Sequence, residues 1–332
     1  MQPEGNRVKV GVRIRPLSNG EKDQGANISV TAKGKSIIAT QKKFDFDWAF
    51  GPGSNQKEIY DATVSPLIEN IFEGFNATVF AYGQTGSGKT YTMGNVAESS
   101  LQEGIIPFAV KDIFNRQREL EESGATVDIL LSYMEVYMED CYDLLVEEKG
   151  KKIDVRETPK GETIVEGLST WPVNGIDGVS ELLNEATKNR ATGRTAMNSQ
   201  SSRSHAICTF TLRIVRPIEG IEGVTSAVTS RLHLVDLAGS ERAKKTLAQG
   251  EQFAEGVSIN RGLLALGNVI SSLSSKSQLD PVNSTNSHIH VPYRESKLTR
   301  LLKDALGGNG MTVMLACASP SDTNADEVEA YI

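Results

Sequence analysis

The 332-residue sequence predicts one α/β domain, and three observations support this fold class. Strand-like and helix-like segments interleave along the whole chain, as they do where helices pack against a sheet. No linker, internal repeat or heptad run divides the sequence. The apolar fraction of 39% and the charged fraction of 23% are typical of a globular core rather than a disordered chain. Length alone would also allow two domains.

The first half of the chain alternates strands with helices. Apolar residues at every second position of 8–14 predict a half-buried strand. Apolar side chains at helical spacing predict a helix over 62–75, and the uninterrupted apolar run at 77–82 predicts a buried strand after it. The same criteria predict helices at 106–114 and 179–186 and a strand at 127–136.

The second half contains the most regular patterns. Residues 205–215 and 228–235 each alternate apolar with polar side chains, and Pro217, Gly220 and Gly223 lie between them. The simplest interpretation is an antiparallel hairpin. Further along, the chain is predicted to form helices at 259–273 and 298–305, a Ser-rich loop at 271–287 and a strand at 311–318.

Composition argues against several classes of protein. No apolar run approaches the roughly 18 residues that a membrane span needs, and the first residues lack the basic-then-apolar order of a signal peptide. The three cysteines form no CxxC pair and lie in apolar stretches, so we expect reduced thiols in the core. With 35 Lys and Arg against 42 Asp and Glu, the net charge of −7 argues against a general nucleic-acid binder.

A glycine-rich segment follows the buried strand at 77–82. It has the order Gly-Gln-Thr-Gly-Ser-Gly-Lys-Thr and matches the phosphate-loop pattern G-x-x-x-x-G-K-[ST], in the strand-to-helix context that the motif requires. Its glycines let backbone N–H groups converge on phosphate oxygens. Lys89 can reach the β- and γ-phosphates of a nucleotide, and Thr90 can place its hydroxyl on Mg²⁺. The predicted nucleotide-binding residues are Gly83, Gln84, Thr85, Gly86, Ser87, Gly88, Lys89 and Thr90.

Two further polar segments border the predicted hairpin. Residues 198–205, Asn-Ser-Gln-Ser-Ser-Arg-Ser-His, precede its first strand, and residues 236–241, Asp-Leu-Ala-Gly-Ser-Glu, follow its second. In an antiparallel pair the start of one strand lies beside the end of the other, so the two segments should meet at one sheet edge. The groups that would converge there are Ser201, Ser202, Asp236 and an Arg203–Glu241 ion pair. A solvated Ser-rich loop beside an ordinary turn is the alternative interpretation.

The phosphate loop and these two polar segments together resemble the kinesin motor domain. Residues 13–16, Arg-Ile-Arg-Pro, are similar to the R-x-R-P motif that flanks adenine in that family. The resemblance extends over residues 7–324, and residues 82–94 and 290–294 are most similar to the kinesin-4, or chromokinesin, branch. It implies that residues 1–332 form a single phosphate-loop NTPase domain, with a central mixed β-sheet and helices on both faces.

The resemblance implies ATP as the substrate and Mg²⁺ as the cofactor. Arg13, Arg15 and Pro16 would line the adenine, with Tyr91 stacking on it. Any nucleoside triphosphate would satisfy the phosphate loop, and no guanine-reading N-K-x-D segment occurs, which also favours ATP. The implied metal-binding residues are Thr90, Ser202 and, through water, Asp236.

The resemblance also assigns the hydrolytic roles. Asn198 and Ser201 would hold the γ-phosphate and the attacking water, and Gly239 would sense the γ-phosphate. Arg203 and Glu241 would form the bridge that closes the site, and Glu241 would accept a proton through a second water. A plain surface ion pair, which contributes little to stability, is the alternative interpretation of Arg203 and Glu241.

The implied partner is the microtubule. Residues 288–303 carry four Lys or Arg and one Glu in an otherwise acidic chain, and helix 294–306 has an apolar side. By pattern alone an ordinary solvated helix face fits as well, but in the family this stretch faces tubulin. Tubulin is acidic, so a local basic patch can attract it, and affinity should fall steeply with salt. The implied contact residues are Lys244, Lys245, Arg261, Tyr293, Arg294, Lys297 and Arg300, together with residues 137–145.

Three departures from the family pattern concern this surface rather than the hydrolytic site. Residues 246–254 lack the basic side chains that are common there, with Gln252 and Ala254 where Arg and Lys are usual. Met138 occupies a position that is often Asn. We also expect the sequence to end within the family's last helix, before the neck linker. These departures bear on microtubule affinity and on force transmission.

The sequence therefore predicts an ATP-hydrolysing microtubule motor domain in the cytoplasm, on the cytoskeleton. It predicts no membrane partner and no nucleic-acid partner for this domain, and it is compatible with a dimer formed through regions outside this sequence. The alternative is a nucleotide-dependent microtubule-binding regulator that does not step. A GTPase-type switch lacks a guanine-reading motif here, and a metabolic kinase lacks an acceptor pocket with its own base.

Overall fold

The structure, a computed structural model, describes residues 8–94, 103–148, 150–159, 161, 163–192, 202–218, 220, 224–241, 251–277, 290–307 and 310–332. The strands are β1 (Lys9–Ile14), β2 (Val30–Lys33), β3 (Ser36–Ala39), β4 (Lys42–Asp45), β5 (Trp48–Phe50), β6 (Ala77–Tyr82), β7 (Thr126–Tyr137), β8 (Asp140–Asp143), β9 (Lys152–Glu157), β10 (Thr163–Glu166), β11 (Trp171–Pro172), β12 (His205–Pro217), β13 (Thr225–Asp236) and β14 (Met311–Ala318). The helices are α1 (Asn19–Asp23), α2 (Gln56–Thr63), α3 (Ser65–Phe72), α4 (Lys89–Met93), α5 (Ile105–Glu122), α6 (Ile176–Thr192), α7 (Glu251–Ser277), α8 (Lys297–Leu301), α9 (Lys303–Gly307) and α10 (Ala325–Tyr331).

Eleven of the described strands form one mixed sheet. Their order is β10-β9-β8-β7-β12-β13-β6-β14-β1-β5, with β11 paired to β7. The strands β13, β6, β14, β1 and β5 run parallel to one another, whereas β12 is antiparallel to both of its neighbours. The other three strands, β2, β3 and β4, form a small antiparallel sheet. The expected α/β fold with a mixed central sheet is confirmed.

Helices cover both faces of this sheet, as the side chains of β6 show. Successive residues of a strand point to opposite faces. Val79 packs in a buried cluster with Phe72 of α3, whereas Phe80 packs in another cluster with Leu263 of α7 and Leu298 of α8. Because both faces of β6 are buried, its sequence is an uninterrupted apolar run.

The predicted hairpin is formed by β12 and β13, and its register determines where the site lies. Ala206 near the start of β12 pairs with Asp236 at the end of β13. On the other side of β13, Asp236 pairs with Ala81 near the end of β6. The residue after β6, Gly83, begins the phosphate loop one position beyond Tyr82. Three separate segments of the chain therefore reach the same edge of the sheet.

The prediction of one continuous helix over 62–75 is wrong. The structure has two helices there, α2 and α3, which are separated at Val64. Pro66 lies in the first turn of α3. Because proline has no N–H and its ring clashes with the preceding turn, it is tolerated where a helix begins but not in its interior.

Two predictions in the second half also need correction. Residues 271–277 are not a loop, because α7 continues to Ser277. The serine hydroxyls in this stretch donate back to the carbonyls four residues earlier, Ser272 to Asn268 and Ser275 to Ser271, so they do not interrupt the helix. Residues 278–289 lie outside the described part of the chain. The single helix expected over 294–306 is instead a 3₁₀ turn (Tyr293–Glu295) followed by α8 and α9.

All three cysteines are buried and none is in a disulfide, which confirms the expectation of core thiols. Burial raises the pKa of Cys141 to about 12 and also raises the pKa values of Cys208 and Cys317. Within the described ranges, no helix has the length and apolar character needed to cross a membrane.

A two-residue turn of unusual conformation connects β7 and β8. Met138 and Glu139 have φ angles of 50° and 63°, as the central residues of a type I′ hairpin do. Glu139 needs this conformation for its contacts, because its carboxylate accepts hydrogen bonds at 2.8 Å from both the Ser296 hydroxyl and the Lys297 N–H. Met138 is a poor residue for left-handed backbone, which asparagine tolerates better.

We expect Met138→Asn to raise the free energy of unfolding by about 0.5–1 kcal/mol, because asparagine tolerates left-handed backbone. Met138 is 42% exposed, so little buried contact is lost. Denaturant unfolding of the variant checks this, with Met138→Ala as the control, since alanine keeps the conformational cost. Equal stability of the two variants would contradict the explanation.

Candidate active site

The phosphate loop connects β6 to α4. Gly83 has a φ of 139°, and a Cβ at this position would lie 2.3 Å from the carbonyl oxygen of Cys317 on β14, so only glycine fits. Lys89 is 6% exposed, and its Nζ donates to the carbonyls of Gly83 at 2.8 Å and Gln84 at 3.0 Å. Burial lowers the pKa of Lys89, and the Asp236 carboxylate opposes that shift. The ammonium group is thus held inside the loop by backbone carbonyls.

The two polar segments meet beside this loop, as the hairpin predicted. The Gly239 N–H donates to the carbonyl of Ser202 at 2.8 Å, and the Ala238 N–H donates to Nδ1 of His205 at 3.0 Å. The Ser240 N–H donates to the carbonyl of Gly83 at 3.2 Å. Hydrogen bonds therefore join the start of β12, the turn after β13 and the phosphate loop.

The His205 side chain binds this junction as a neutral imidazole. The side chain is buried, and desolvation together with the positive charges of Arg190 and Lys89 lowers its pKa to about 3. The imidazole is therefore neutral at physiological pH, and its Nδ1 can accept the hydrogen bond from the Ala238 N–H. Sequence reasoning placed His205 in the polar segment but gave it no role.

Thr90 and Asp236 form a set of oxygen donors suited to Mg²⁺. The Thr90 hydroxyl donates to Oδ2 of Asp236 at 3.0 Å. The other carboxylate oxygen, Oδ1, is buried and accepts no hydrogen bond from the described residues. Arg190 Nη1 lies 3.6 Å from Oδ2 and balances the charge. A hydroxyl and a carboxylate are hard ligands of the kind that Mg²⁺ prefers, so these residues fit the expected metal.

Glu241 lies directly on the phosphate loop. Its carboxylate accepts a hydrogen bond at 2.8 Å from the Thr85 N–H and another from the Thr85 hydroxyl. Asn260 of α7 donates to the backbone carbonyl of Glu241 at 3.2 Å. Glu241 thus links the loop to α7, the longest helix among the described residues. Its ion pair with Arg203, which lies at the start of β12, remains a prediction.

Gly239 is surrounded by these same groups. A Cβ at this position would lie 2.2 Å from Oε2 of Glu241 and 2.4 Å from Oγ1 of Thr85. Real Cβ atoms do not approach other heavy atoms this closely, so any side chain here must displace the carboxylate or the hydroxyl. The absence of a side chain at Gly239 lets the turn after β13 touch the loop.

The residues expected around the adenine form two layers. Arg13 is only 8% exposed, and its Nη1 donates to Gln56 at 2.6 Å and to the Thr92 hydroxyl at 2.9 Å. Its guanidinium lies 5.0 Å from the centre of the Tyr91 ring, while Gln56 donates to the Tyr91 carbonyl at 2.6 Å. Tyr91 itself is 62% exposed. Arg13 therefore supports the ring from below, and the ring is the surface available for stacking.

Arg15 and Pro16 lie nearer to the loop. Arg15 Nε donates to the carbonyl of Gly86 at 2.7 Å, and Pro16 is exposed beside it. The support that Gln56 gives to Tyr91 was not predicted from sequence, because α2 and α4 are brought together only by packing. No local signal in the sequence could have revealed it.

The predicted partner surface is only partly free. Arg294 Nη2 and Lys303 Nζ both bind the Glu157 carboxylate of β9, at 2.6 Å and 2.7 Å, and Arg300 donates to the carbonyl of Val155 at 2.9 Å. Lys297 Nζ lies 3.9 Å from a carboxylate oxygen of Asp140. The basic side chains around α8 therefore face the β8–β10 strands rather than forming a fully open patch.

A second part of that surface lies on α7. Arg261 is exposed, and the apolar side chains of Val257 and Leu264, four residues before and three after it, are 49% and 66% exposed. These spacings place the three residues on one face of the helix. Four predicted site residues lie outside the described part of the chain: Asn198, Ser201, Lys244 and Lys245.

The family model of the kinesin motor domain matches residues 13–330. Chromosome-associated kinesin KIF4 of Xenopus laevis is 44% identical over 98% of this chain and 26% of its own length. Kinesin-like protein KIF27 of Homo sapiens is 45% identical over 96% of this chain and 23% of its own length. The chain thus spans about a quarter of the length of these relatives.

Two solved structures share this fold. A fast kinesin superimposes with a TM-score of 0.85 at 37% identity, covering 98% of this chain and 89% of that one. A KIF14 dimer bound to a microtubule with AMP-PNP superimposes with a TM-score of 0.85 at 38% identity, covering 98% of this chain and 91% of that one. The structure of the whole described chain is therefore similar to theirs.

Proposed function

The chain belongs to the kinesin motor-domain family, whose members are microtubule-stimulated ATPases, and we propose that it hydrolyses ATP at the phosphate loop to drive movement on microtubules. The observation that carries the proposal is the junction of three segments. The phosphate loop, the Ser202 backbone and the Gly239–Glu241 turn are joined by hydrogen bonds. A γ-phosphate at this junction would contact all three, so its arrival and loss would change their arrangement.

Hydrolysis of ATP depends on positioning and charge stabilisation rather than on covalent chemistry. Lys89 would turn from the carbonyls of Gly83 and Gln84 toward the β- and γ-phosphates. The Gly239 N–H would turn from the Ser202 carbonyl toward the γ-phosphate. Asn198 and Ser201 would hold the γ-phosphate and the attacking water.

Glu241 would serve the proton transfer. In the structure the Glu241 carboxylate accepts a hydrogen bond from the Thr85 N–H at 2.8 Å. A phosphate that binds this N–H group would therefore compete with the carboxylate. The released carboxylate would pair with Arg203, close the site and accept a proton from the attacking water through a second water.

Thr90, Ser202 and Asp236 would hold Mg²⁺, which neutralises charge on the β- and γ-phosphates. The buried Oδ1 of Asp236, which accepts nothing from the described residues, supports this assignment. Tyr91, Arg15 and Pro16 would contact the adenine, while Arg13 would hold the Tyr91 ring in place.

The rate of ATP hydrolysis with and without microtubules at low salt tests the proposal. Strong stimulation by microtubules and a loss of affinity at high salt support a motor domain. Tight binding without stimulation would indicate a non-stepping regulator instead, and a preference for GTP would indicate a signalling switch. Either of these outcomes would overturn the proposed function.

The microtubule surface is proposed to comprise the exposed face of α7 around Arg261, the Tyr293–Glu295 turn, α8 and, outside the described residues, Lys244 and Lys245. Its charge is the main support, since tubulin is acidic. The surface residues of the turn and of α8 are Tyr293, Arg294, Lys297 and Arg300. A domain that binds microtubules associates with the cytoskeleton, and we propose the cytoplasm as its compartment.

Glu157 binds Arg294 of this surface and Lys303 just beyond α8, so it competes with tubulin for both cations. Lys303 and Arg294 both donate to its carboxylate and lower its pKa to about 2, so Glu157 is ionised at any physiological pH. We expect Glu157→Gln to raise microtubule affinity about threefold in low salt, because the Arg294 and Lys303 side chains become free to bind tubulin carboxylates. Co-sedimentation at several salt concentrations measures this.

The matched control is Glu166→Gln on the adjacent strand β10. Glu166 pairs with Arg156 at 2.8 Å and is exposed, so this change removes the same charge from the same region without releasing Arg294 or Lys303. An equal gain in affinity for both variants would mean that net charge alone matters, which would contradict the competition.

A further inference from the structure

The carboxylate of Glu21, in α1, accepts five hydrogen bonds between the nucleotide site and the start of α10, the longest of them at 3.5 Å from Asn324. Its Oε2 accepts from Arg15 Nη1 at 2.6 Å and from the Ser18 N–H at 2.8 Å. Its Oε1 accepts from Arg15 Nη2 at 2.7 Å and from the Ser319 hydroxyl at 2.8 Å. The side chain is 12% exposed, so water cannot substitute freely for these partners. The result is a bidentate ion pair in a partly desolvated position.

The ion pair with Glu21 directs the Nε–H group of Arg15 at the phosphate loop. The guanidinium is planar, so when Nη1 and Nη2 are both bound to one carboxylate, the direction of Nε is set as well. Nε donates to the Gly86 carbonyl at 2.7 Å. Gly86 has a φ of 75°, in the left-handed region that glycine adopts readily.

This hydrogen bond also orients an N–H group of the loop. In a trans peptide the C=O and N–H groups point in opposite directions. With the Gly86 carbonyl turned toward Arg15, the N–H of Ser87 points into the loop, where it lies 3.2 Å from the Gln84 carbonyl. The plane of this peptide is therefore held at two ends, by Arg15 at its carbonyl and by the Gln84 carbonyl at its N–H, and Arg15 is itself held by Glu21.

We infer that Glu21 is a positioning residue for nucleotide binding, acting through Arg15 on the Gly86–Ser87 peptide. The inference rests on the proposed function, since it concerns how the same site receives ATP. A merely structural role is the competing explanation, because Glu21 also completes the capping box of α1 with Ser18 and binds Ser319 at the end of β14. The two explanations predict different kinetics.

Glu21→Gln separates them. The glutamine amide presents an N–H₂ group where Arg15 presents its own donors, so Arg15 must turn and the Gly86–Ser87 peptide loses one of the two hydrogen bonds that hold its plane. We expect KM for ATP to rise roughly tenfold in the microtubule-stimulated reaction. The value of kcat should stay within about twofold of that of the unmodified protein, because Thr90, Asp236 and Glu241 are unchanged. Glu119→Gln is the matched control, because it breaks an exposed Arg116–Glu119 pair on α5.

A double-mutant cycle with Arg15→Lys tests the route. Lysine keeps the charge but cannot bind Glu21 and Gly86 together, so Arg15→Lys should raise KM by a similar factor, and adding Glu21→Gln should raise it no further. Independent, multiplying effects would overturn the inference. It would also be overturned by an unchanged KM, by a fall in kcat that follows thermal stability, or by failure of Glu21→Gln to fold, each of which indicates a structural role. Absence of ATP hydrolysis in the unmodified protein would instead refute the proposed function.

Discussion

Glu241→Ala is expected to reduce microtubule-stimulated ATP turnover about a thousandfold while leaving ATP binding nearly intact. The reduction follows from losing the group proposed to accept the proton and to close the site with Arg203. ATP binding should survive because the carboxylate contributes nothing to holding phosphate. In the structure it occupies the Thr85 N–H and hydroxyl, so its removal frees a donor of the loop.

Two measurements are needed, the turnover rate at saturating ATP and the equilibrium affinity for a slowly hydrolysed ATP analogue. Arg203→Ala should give the same combination, because it removes the other half of the proposed bridge. Glu119→Ala on α5, a change of equal charge far from the loop, should affect neither quantity. Normal turnover in both Glu241→Ala and Arg203→Ala would refute the assignment.

Gly239→Ala is expected to reduce turnover at least about a hundredfold, the size of effect seen when a group that transfers a proton is misplaced. The new Cβ would lie 2.2 Å from the Glu241 carboxylate and 2.4 Å from the Thr85 hydroxyl, so it must displace these two groups from their contact with each other. It would also crowd the proposed contact between the Gly239 N–H and the γ-phosphate. Single-turnover kinetics with the purified variant measures the effect.

Gly267→Ala on α7 is the matched control. A Cβ at Gly267 would meet nothing within 4 Å, and alanine in a helix interior stabilises by about 0.5–1 kcal/mol relative to glycine. This variant should keep normal turnover and a slightly raised thermal midpoint. If Gly239→Ala were as active as Gly267→Ala, the contact of the turn with the loop would have no part in hydrolysis.

The meeting of Ser202 with the segment after β13 could be predicted from sequence because it depends on strand pairing. Alternating patterns identified both strands of the β12–β13 hairpin, and an antiparallel pair brings the start of one strand to the end of the other. The structure confirms this in the hydrogen bond from the Gly239 N–H to the Ser202 carbonyl. The phosphate loop was equally predictable, since its motif is contiguous and its neighbouring strand is an apolar run.

Contacts between distant segments were less predictable. The expectation of a basic patch over residues 288–303 rested on local composition and helical periodicity, which describe one segment by itself. Periodicity cannot show that the strand β9 lies beside these residues with Glu157 facing Lys303 and Arg294. For the same reason, the burial of Arg13 beneath Tyr91 was not foreseen.

The sequence by itself determined the α/β class, the phosphate loop, the hairpin and the family. Each of these is indicated by patterns or motifs that are contiguous in the chain. Only the tertiary structure decided that Glu241 contacts Thr85, that Glu157 binds Lys303 and that Glu21 binds Arg15. Glu241 and Glu157 bind donors that lie 156 and 146 residues away along the chain, and Glu21 binds a residue 6 positions before it that lies outside its own helix. Which carboxylate meets which donor depends on how the helices and strands pack, and packing is a property of the whole core.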